Sequence, residues 1–591
     1  MASPRPLPGI RPLFALFLSL LFLVFLLPWA AGSSPLESSH LYRVLHIQER
    51  ERLPPAVQVA AARGLLSRLL PFHVSSFEFE IVSKETCGGV ACFIISNHPS
   101  LSTKGFSEIL IQGTSGVELS AGLHWYLKHW CLIHISWEKT GGLQLSSLPK
   151  VGSLPHVPSA GILIHMHGGV GKDGRRKLIG WFSKGSTYHL LSMGKKQFGR
   201  KFLSDTFDEN TPPVDDPKYI SSLGSAIYKG MQSGDDDAIW LMQGWLFSYD
   251  PFWKPPQMKA LLHSVPIGRM VVLDLFAEVK PIWVKSKQFY GVPYIWCMLH
   301  NFAGNIEMYG ILDAIALGPI EARTSENSTM VGVGMSMEGI EQNPVVYDLM
   351  SEMAFHHKPV DVKIWVDLYA TRRYGRSVPA LQDAWQILYH TLYNCTDGAY
   401  DKNRDVIVAF PDVDPSVILI PEIFEERKLV HFSRQLSERE PLKETANSYD
   451  QPHLWYSTAD VTRALVLFLE NGYDVSDSQT FRYDLVDLTR QALAKYANKV
   501  FLKIIEGYQL SNLKQVTIYS QHFLDLMKEL DLLLSCHDGF LLGPWLESAK
   551  RLARDPEQEQ QFEWNARTQV TMWFDNTETE ASLLRDYGNK Y

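Results

Sequence analysis

Ala238-Ile-Trp-Leu-Met-Gln-Gly-Trp-Leu246, Met270-Val-Val-Leu-Asp-Leu-Phe276 and Pro293-Tyr-Ile-Trp-Cys-Met-Leu299 are the stretches on which the fold turns. Each is a short apolar run without the in-out alternation of a half-exposed strand, as expected of strands covered on both faces. Leu203–Phe207 and Met330–Met335 extend the series, and Gln257–Ser264 and Gly304–Ala316 have helical spacing between them. Buried strands alternating with helices describe a parallel sheet wrapped by helices, as in a (β/α)8 barrel. Such a barrel takes about 250 residues and eight strands. Residues 203–345 supply five strand candidates, so an incomplete barrel is expected there.

Outward from the barrel, the chain changes style on both sides. Upstream, residues 55–71 have helical periodicity, and Phe77–Val82, Ala91–Ser96 and Glu108–Gln112 read as strands. Gly113-Thr-Ser-Gly116 then turns the chain into a helix reaching about Lys128, which makes residues 33–150 a small N-terminal α/β domain. Downstream, Val346–Phe355, Asp361–Tyr374, Ala380–Tyr393, Tyr456–Leu469, Phe481–Lys499 and Leu513–Ser535 read as helices, giving an α-helical C-terminal domain over 346–591. The expected class is therefore α/β, with a catalytic barrel between a small α/β domain and a helical one.

Residues 1–32 read as a secretory signal: Arg5 and Arg11 precede the apolar run Leu13–Leu27, and Ala30, Ala31 and Gly32 suit cleavage. That run falls short of the ~20 residues that span a bilayer, so no stable membrane insertion is expected after cleavage. Six cysteines are scattered without a CxxC pair, which argues for one or two disulfides rather than structural zinc. Asn327-Ser-Thr and Asn394-Cys-Thr are acceptor triplets for N-glycosylation.

The 56 basic and 64 acidic residues leave a net charge of −8, which argues against a nucleic-acid binder. Residues 165–202 stand apart, with nine Lys/Arg, one Asp and eight glycines. Within them Gly169-Val-Gly-Lys-Asp-Gly174 satisfies GxGxxG, yet no acidic residue follows between Asp173 and Asp205 to hold a ribose. His165 and His167 have no third ligand nearby. Shifted by one base, the codons of this block can encode a Trp-rich barrel start. The segment 151–202 is accordingly read as an aberrant, out-of-frame remnant that rejoins the fold near Leu203.

Chemistry in such barrels sits at the C-terminal ends of the strands. Glu209 follows the first strand candidate and Glu338 the last, while Trp245, Trp296, His300 and Asn301 follow or end others. Two carboxylates with indole platforms suit a sugar site, one acid protonating the leaving oxygen and the other meeting the oxocarbenium-like centre. The bland alternative is that carboxylates after strands are loop residues or helix caps, and Glu278 competes on equal terms.

At these positions the chain resembles the α-N-acetylglucosaminidases of glycoside hydrolase family 89. The likeness is carried by Asp205-Thr-Phe-Asp-Glu209, Trp240-Leu-Met-Gln-Gly-Trp-Leu-Phe247, Val272-Leu-Asp-Leu-Phe-Ala-Glu278, Ile295-Trp-Cys-Met-Leu-His-Asn-Phe302 and Met335-Ser-Met-Glu-Gly-Ile-Glu-Gln-Asn343. Arg372-Arg-Tyr-Gly375, Phe481-Arg-Tyr-Asp-Leu-Val-Asp-Leu-Thr-Arg490 and Phe540-Leu-Leu-Gly-Pro-Trp545 continue it, over roughly residues 40–160 and 203–591. The resemblance implies a retaining exo-hydrolase of terminal α-linked N-acetylglucosamine, of the lysosomal heparan-sulfate-degrading type. It implies Glu209 as acid/base, Glu338 as nucleophile, a glycan as partner, and no metal or organic cofactor. The family has Asn before its acid/base, where this chain has Asp208. An ionised Asp cannot donate the hydrogen bond an Asn gives a substrate oxygen, and adjacent carboxylates raise one another's pKa. An Asp–Glu pair also serves hydrolases that use the substrate's acetamido group as nucleophile; Glu338 favours the enzyme-nucleophile route. The rival expectation is a non-catalytic secreted remnant of the family, at best glycan-binding. A lysosomal, vacuolar or extracellular destination is expected, and the sequence leaves homo-oligomerisation open.

Overall fold

The computed structural model describes residues 53–98, 108–136, 154–157, 162–165, 201–204, 211–300, 308–335, 342–356, 358–395, 405–407 and 455–569. Helix α1 (Pro55–Leu69) opens the N-terminal domain, followed by β1 (Phe77–Ile81), β2 (Cys92–Asn97), β3 (Ile109–Gly113), α2 (Gly116–His129) and β4 (Ile162–His165). The strands form one sheet in the order β1-β3-β2-β4, with β1 parallel to β3 and β2 antiparallel to both β3 and β4. Alternate residues of the sheet, Phe77, Phe79, Phe93, Ile95, Ile109 and Ile111, pack on Leu66 of α1 and on Leu119, Leu123 and Tyr126 of α2. Ser115 caps α2 by accepting the N–H of Val117. A Cys87–Cys92 disulfide closes the turn before β2, and Cys131, Cys297 and Cys536 are free thiols.

The second sheet is parallel, in the order β5 (Lys201–Ser204), β6 (Ile239–Gln243), β7 (Met270–Asp274), β8 (Tyr294–Met298) and β9 (Met330–Met335). Helices α3 (Pro217–Gly234), α4 (Pro255–Leu262) and α5 (Leu312–Thr324) lie between these strands in the chain. Strands β6 to β9 are buried on both sides. Trp240, Met242, Met270, Val272, Tyr294, Trp296 and Met298 join the large core formed with the helices. Leu241, Val271, Leu273, Ile295, Cys297 and Val331 form a separate cluster on the opposite face. Among the described residues neither β5 nor β9 has an outer partner, so the barrel is not closed by hydrogen bonds.

Helix α3 has no counterpart in the expected elements. Its signal is at the end: Asp216 accepts the N–H groups of Lys218 and Tyr219, and Pro217 occupies the first turn. Ile220, Leu223, Ile227, Tyr228 and Met231 turn to the core at helical spacing, in a run whose remaining Ser and Gly are weak helix formers. Helix α5 lies at Leu312–Thr324, later than the expected Gly304–Ala316. The first barrel strand ends at Ser204, and the expected extension to Phe207 falls outside the described residues.

Beyond the barrel the described chain is helical: α6 (Pro344–Met353), α7 (Val362–Tyr374), α8 (Pro379–His390), α9 (Thr458–Asn471), α10 (Gln479–Gln509), α11 (Leu513–Leu534), α12 (Leu542–Lys550) and α13 (Pro556–Gln569). Buried polar links tie the N-terminal domain to these helices and the helices to one another. Lys128 of α2 pairs with Asp348 at 2.7 Å and with Glu352, both on α6. Arg373 of α7 grips Asp484 of α10 through two hydrogen bonds of 2.6 Å, and its third nitrogen lies 2.9 Å from His134 Nε2. No described helix is long and apolar enough to cross a membrane.

Candidate active site

The C-terminal ends of β6, β7 and β8 gather one group of polar and aromatic residues. Beyond β6 the chain turns sharply at Gly244, whose N–H donates to Leu273 O at 2.7 Å. A side chain there would stand 2.6 Å from that same oxygen, so only glycine fits. The turn delivers Trp245, half-buried, with its ring 5.4 Å from Tyr249 and 6.1 Å from Phe276.

Beyond β7, Asp274 accepts the N–H groups of Ile282 and Trp283 and so anchors the following turn. Burial pushes its carboxyl up to about 7, against those two donors. Four residues on, Glu278 reaches across to β8, where Oε1 accepts the N–H groups of Leu299 at 2.8 Å and His300 at 2.6 Å. Burial pushes Glu278 up to about 8. His300 adopts a left-handed backbone, φ 44°, and is 2% exposed. Its ring stacks on Tyr309 at 5.0 Å and meets Tyr347 edge-on at 5.4 Å. Burial pushes the imidazole down to about 3. Asn343 closes the group: its Oδ1 accepts the N–H of Tyr309 at 3.1 Å and the hydroxyl of Tyr393 at 3.4 Å.

Of the residues singled out in the sequence, Trp245 and His300 lie at this mouth. Glu209, Asp208, Glu338 and Asn301 lie outside the described residues. Trp296 requires a correction. It is fully buried in the helix-facing core, its ring so close to α5 that a side chain at Gly318 would stand 2.7 Å from its Cζ2. An indole enclosed in that layer has no open face for a sugar. Residues 294–298 are all buried, so alternation in the sequence could not tell which residues face the helices and which the barrel interior. Tyr309 and Tyr347 carried no local signal of their own, and Asn343 only its place at the end of the motif that follows β9; long-range pairing brings them to the mouth. Asn327 is exposed between α5 and β9, and Asn394 is half-buried beside Cys395. Among the described residues no cluster of His, Cys, Asp or Glu has the makings of a metal site.

A helix-wrapped parallel sheet with carboxyl and aromatic groups at its strand ends, set between a small α/β domain and a helical one, has the architecture of the barrel glycoside hydrolases. Three family models match in order: the N-terminal domain of α-N-acetylglucosaminidase at residues 60–156, its tim-barrel domain at 186–357 and its C-terminal domain at 365–591. The chain belongs to the α-N-acetylglucosaminidase family. The barrel match begins inside the basic glycine-rich block, further back than motif order alone indicated.

Human α-N-acetylglucosaminidase is 37% identical over 403 residues, 67% of this chain and 49% of the human one. The chain thus spans about half the length of the curated relative it matches. Among solved structures, a family 89 glycoside hydrolase from Clostridium perfringens in complex with 2-acetamido-1,2-dideoxynojirimycin superposes with a TM-score of 0.70 at 21% identity, covering 90% of this chain and 72% of that one. A doubly Gln-substituted form of the enzyme from that organism, in complex with its substrate GlcNAc-α-1,4-galactose, gives 0.71 at 19% identity, covering 94% and 74%.

Proposed function

We propose that the protein is a retaining glycoside hydrolase that removes terminal α-linked N-acetylglucosamine from glycans such as heparan-sulfate-type chains or glycoconjugates. The observation that carries this reading is the ordered match to all three domains of the family. Glu209 follows β5 in the chain and Glu338 follows β9. These strands are four sheet positions apart, which in an eight-stranded barrel is half the circumference. Strands so placed present their C-terminal ends to one mouth from opposite sides, as a pair of carboxylates flanking a glycosidic bond requires.

In the proposed reaction Glu209 protonates the leaving oxygen while Glu338 attacks the anomeric carbon. Water then cleaves the glycosyl-enzyme with Glu209 as base, so configuration is retained. Trp245 offers a ring face for the sugar, and His300, Asn301 and Asp208 bind its polar groups. The secretory reading, with a lysosomal, vacuolar or extracellular destination and glycans at Asn327 and Asn394, is supported by the Cys87–Cys92 disulfide, which suits an oxidising compartment. Turnover of a chromogenic α-N-acetylglucosaminide by the secreted chain, abolished in E338A with the folded protein intact, is the expected result. No turnover by the folded unmutated chain would overturn the proposal in favour of a non-catalytic remnant. Sequencing the transcript across residues 165–202 decides between a genuine basic block and a misread frame.

A further inference from the structure

Glu278 is more deeply built into the barrel mouth than a loop carboxylate needs to be. It is 8% exposed, and its two oxygens are used differently. Oε1 receives both N–H groups at the end of β8, whereas Oε2 has no hydrogen-bond partner among the described residues. A buried polar atom left unpaired is destabilising, so one at a strand end in an enzyme fold marks a place where a ligand completes the hydrogen bonding. A second such atom belongs to the residue whose N–H Glu278 holds: Nε2 of His300 is also buried without a partner among the described residues. The two groups are mechanically joined, because Oε1 of Glu278 holds the N–H of His300 in a backbone conformation that residues other than glycine rarely adopt.

The chemistry of the pair selects the ligand. Burial keeps the Glu278 carboxyl protonated up to about pH 8 and the His300 imidazole neutral down to about pH 3. Asp274, Tyr347 and Cys297 are the titratable groups coupled to it, and none is a cation. A buried, uncharged acid suits a hydroxyl, which both donates and accepts. It does not suit an ammonium or carboxylate, whose charge would have to shed its water.

The geometry points to Glu278 as a specificity-determining residue that hydrogen-bonds one ring or hydroxymethyl hydroxyl of the terminal sugar through Oε2. This rests on the reading of the barrel mouth as the sugar site.

The test is kcat/KM on an aryl α-N-acetylglucosaminide and on its 3-, 4- and 6-deoxy derivatives, for the unmutated chain, E278Q and E278A. Calorimetric binding of 2-acetamido-1,2-dideoxynojirimycin runs alongside. The unmutated chain is expected to disfavour one deoxy position by about 10-fold or more, the loss of one hydrogen bond to a buried group. E278Q keeps an acceptor for the two N–H groups and a donor for the sugar, and is expected to keep that discrimination. E278A is expected to lose discrimination at that one position and no other. A uniform loss across parent and all deoxy substrates would mean a purely structural role and would overturn the proposal. E278M, which fills the volume, carries the same comparison should E278A not be secreted. A chain that binds the inhibitor but turns over nothing refutes the hydrolase reading alone, and affinity lost in E278A and kept in E278Q then still supports the assignment. A chain that does neither refutes both.

Discussion

Replacing Arg373 by methionine removes the centre of a buried polar link between α7, α10 and the N-terminal domain. The guanidinium is fully buried, makes two 2.6 Å bonds to Asp484 and lies 2.9 Å from His134 Nε2. Methionine keeps most of the apolar stem but leaves Asp484 with only the hydroxyl of Tyr374, at 2.8 Å. Breaking a buried pair from one side costs about 3–5 kcal/mol, because the surviving charge is uncompensated. A domain of roughly 200 residues loses about 2–4 °C of melting temperature per kcal/mol, which puts the expected drop near 10 °C. Differential scanning calorimetry of the secreted protein measures it. R373M combined with D484L removes both charges, and should recover at least half of the loss, since the penalty belongs to the orphaned carboxylate rather than to missing attraction. A single variant that melts within about 2 °C of the parent, or a double variant less stable than R373M, would refute this account of the link.

Further outcomes follow from the same geometry. Glu278 titrates near 8 folded against 4.5 unfolded, so the unfolded chain releases its proton first as pH rises, and the buried acid weakens the fold progressively between those values. E278Q should therefore melt higher than the parent at pH 8 and converge with it near pH 4.5, the gap growing by up to about 1.4 kcal/mol per pH unit. His134 has the opposite sign: burial and then Arg373 hold it well below 6.5, so stability is lost as pH falls beneath that value. H134Q, which still accepts from Arg373 but does not titrate, should flatten the acid side of a melting-temperature profile. Finally, G318A should destabilise by about 1–3 kcal/mol through contact with Trp296, and W296F should lower the melting temperature without raising KM; a raised KM at unchanged stability would restore Trp296 to the sugar site. W245A is expected to do the reverse, raising KM at nearly constant melting temperature.

The barrel strands were legible because each is a short apolar run; β9 spans Met330–Met335 as its sequence indicates. The order of motifs likewise carried the family. What the runs do not encode is facing. Tyr294, Trp296 and Met298 point to the helices while Ile295 and Cys297 face the interior, and with every residue apolar nothing local separates the two sets. That is why Trp296 reads in sequence like a site residue and is packed as scaffold. Glu278 reads as an ordinary acid after a strand, and its burial comes from the neighbouring strand end, which a local pattern cannot supply. Helix α3 was legible in principle: Ile220, Leu223, Ile227, Tyr228 and Met231 recur at helical spacing, and the Ser and Gly between them, weak helix formers, obscure the stripe.

The links between the N-terminal domain and the helices also bear on synthesis. Lys128 finds Asp348 220 residues later in the chain, and His134 finds Arg373 239 residues later. A ribosome adding about 5–20 residues per second takes roughly 10–50 s to cover that distance. During that interval the N-terminal domain has its own core but an unfinished face, on which a lysine and a histidine destined for burial stand in water. The domain can therefore fold early and must dock late. Its partner surface has to stay soluble in the meantime, which a cationic side chain at its centre accomplishes and an apolar one would not.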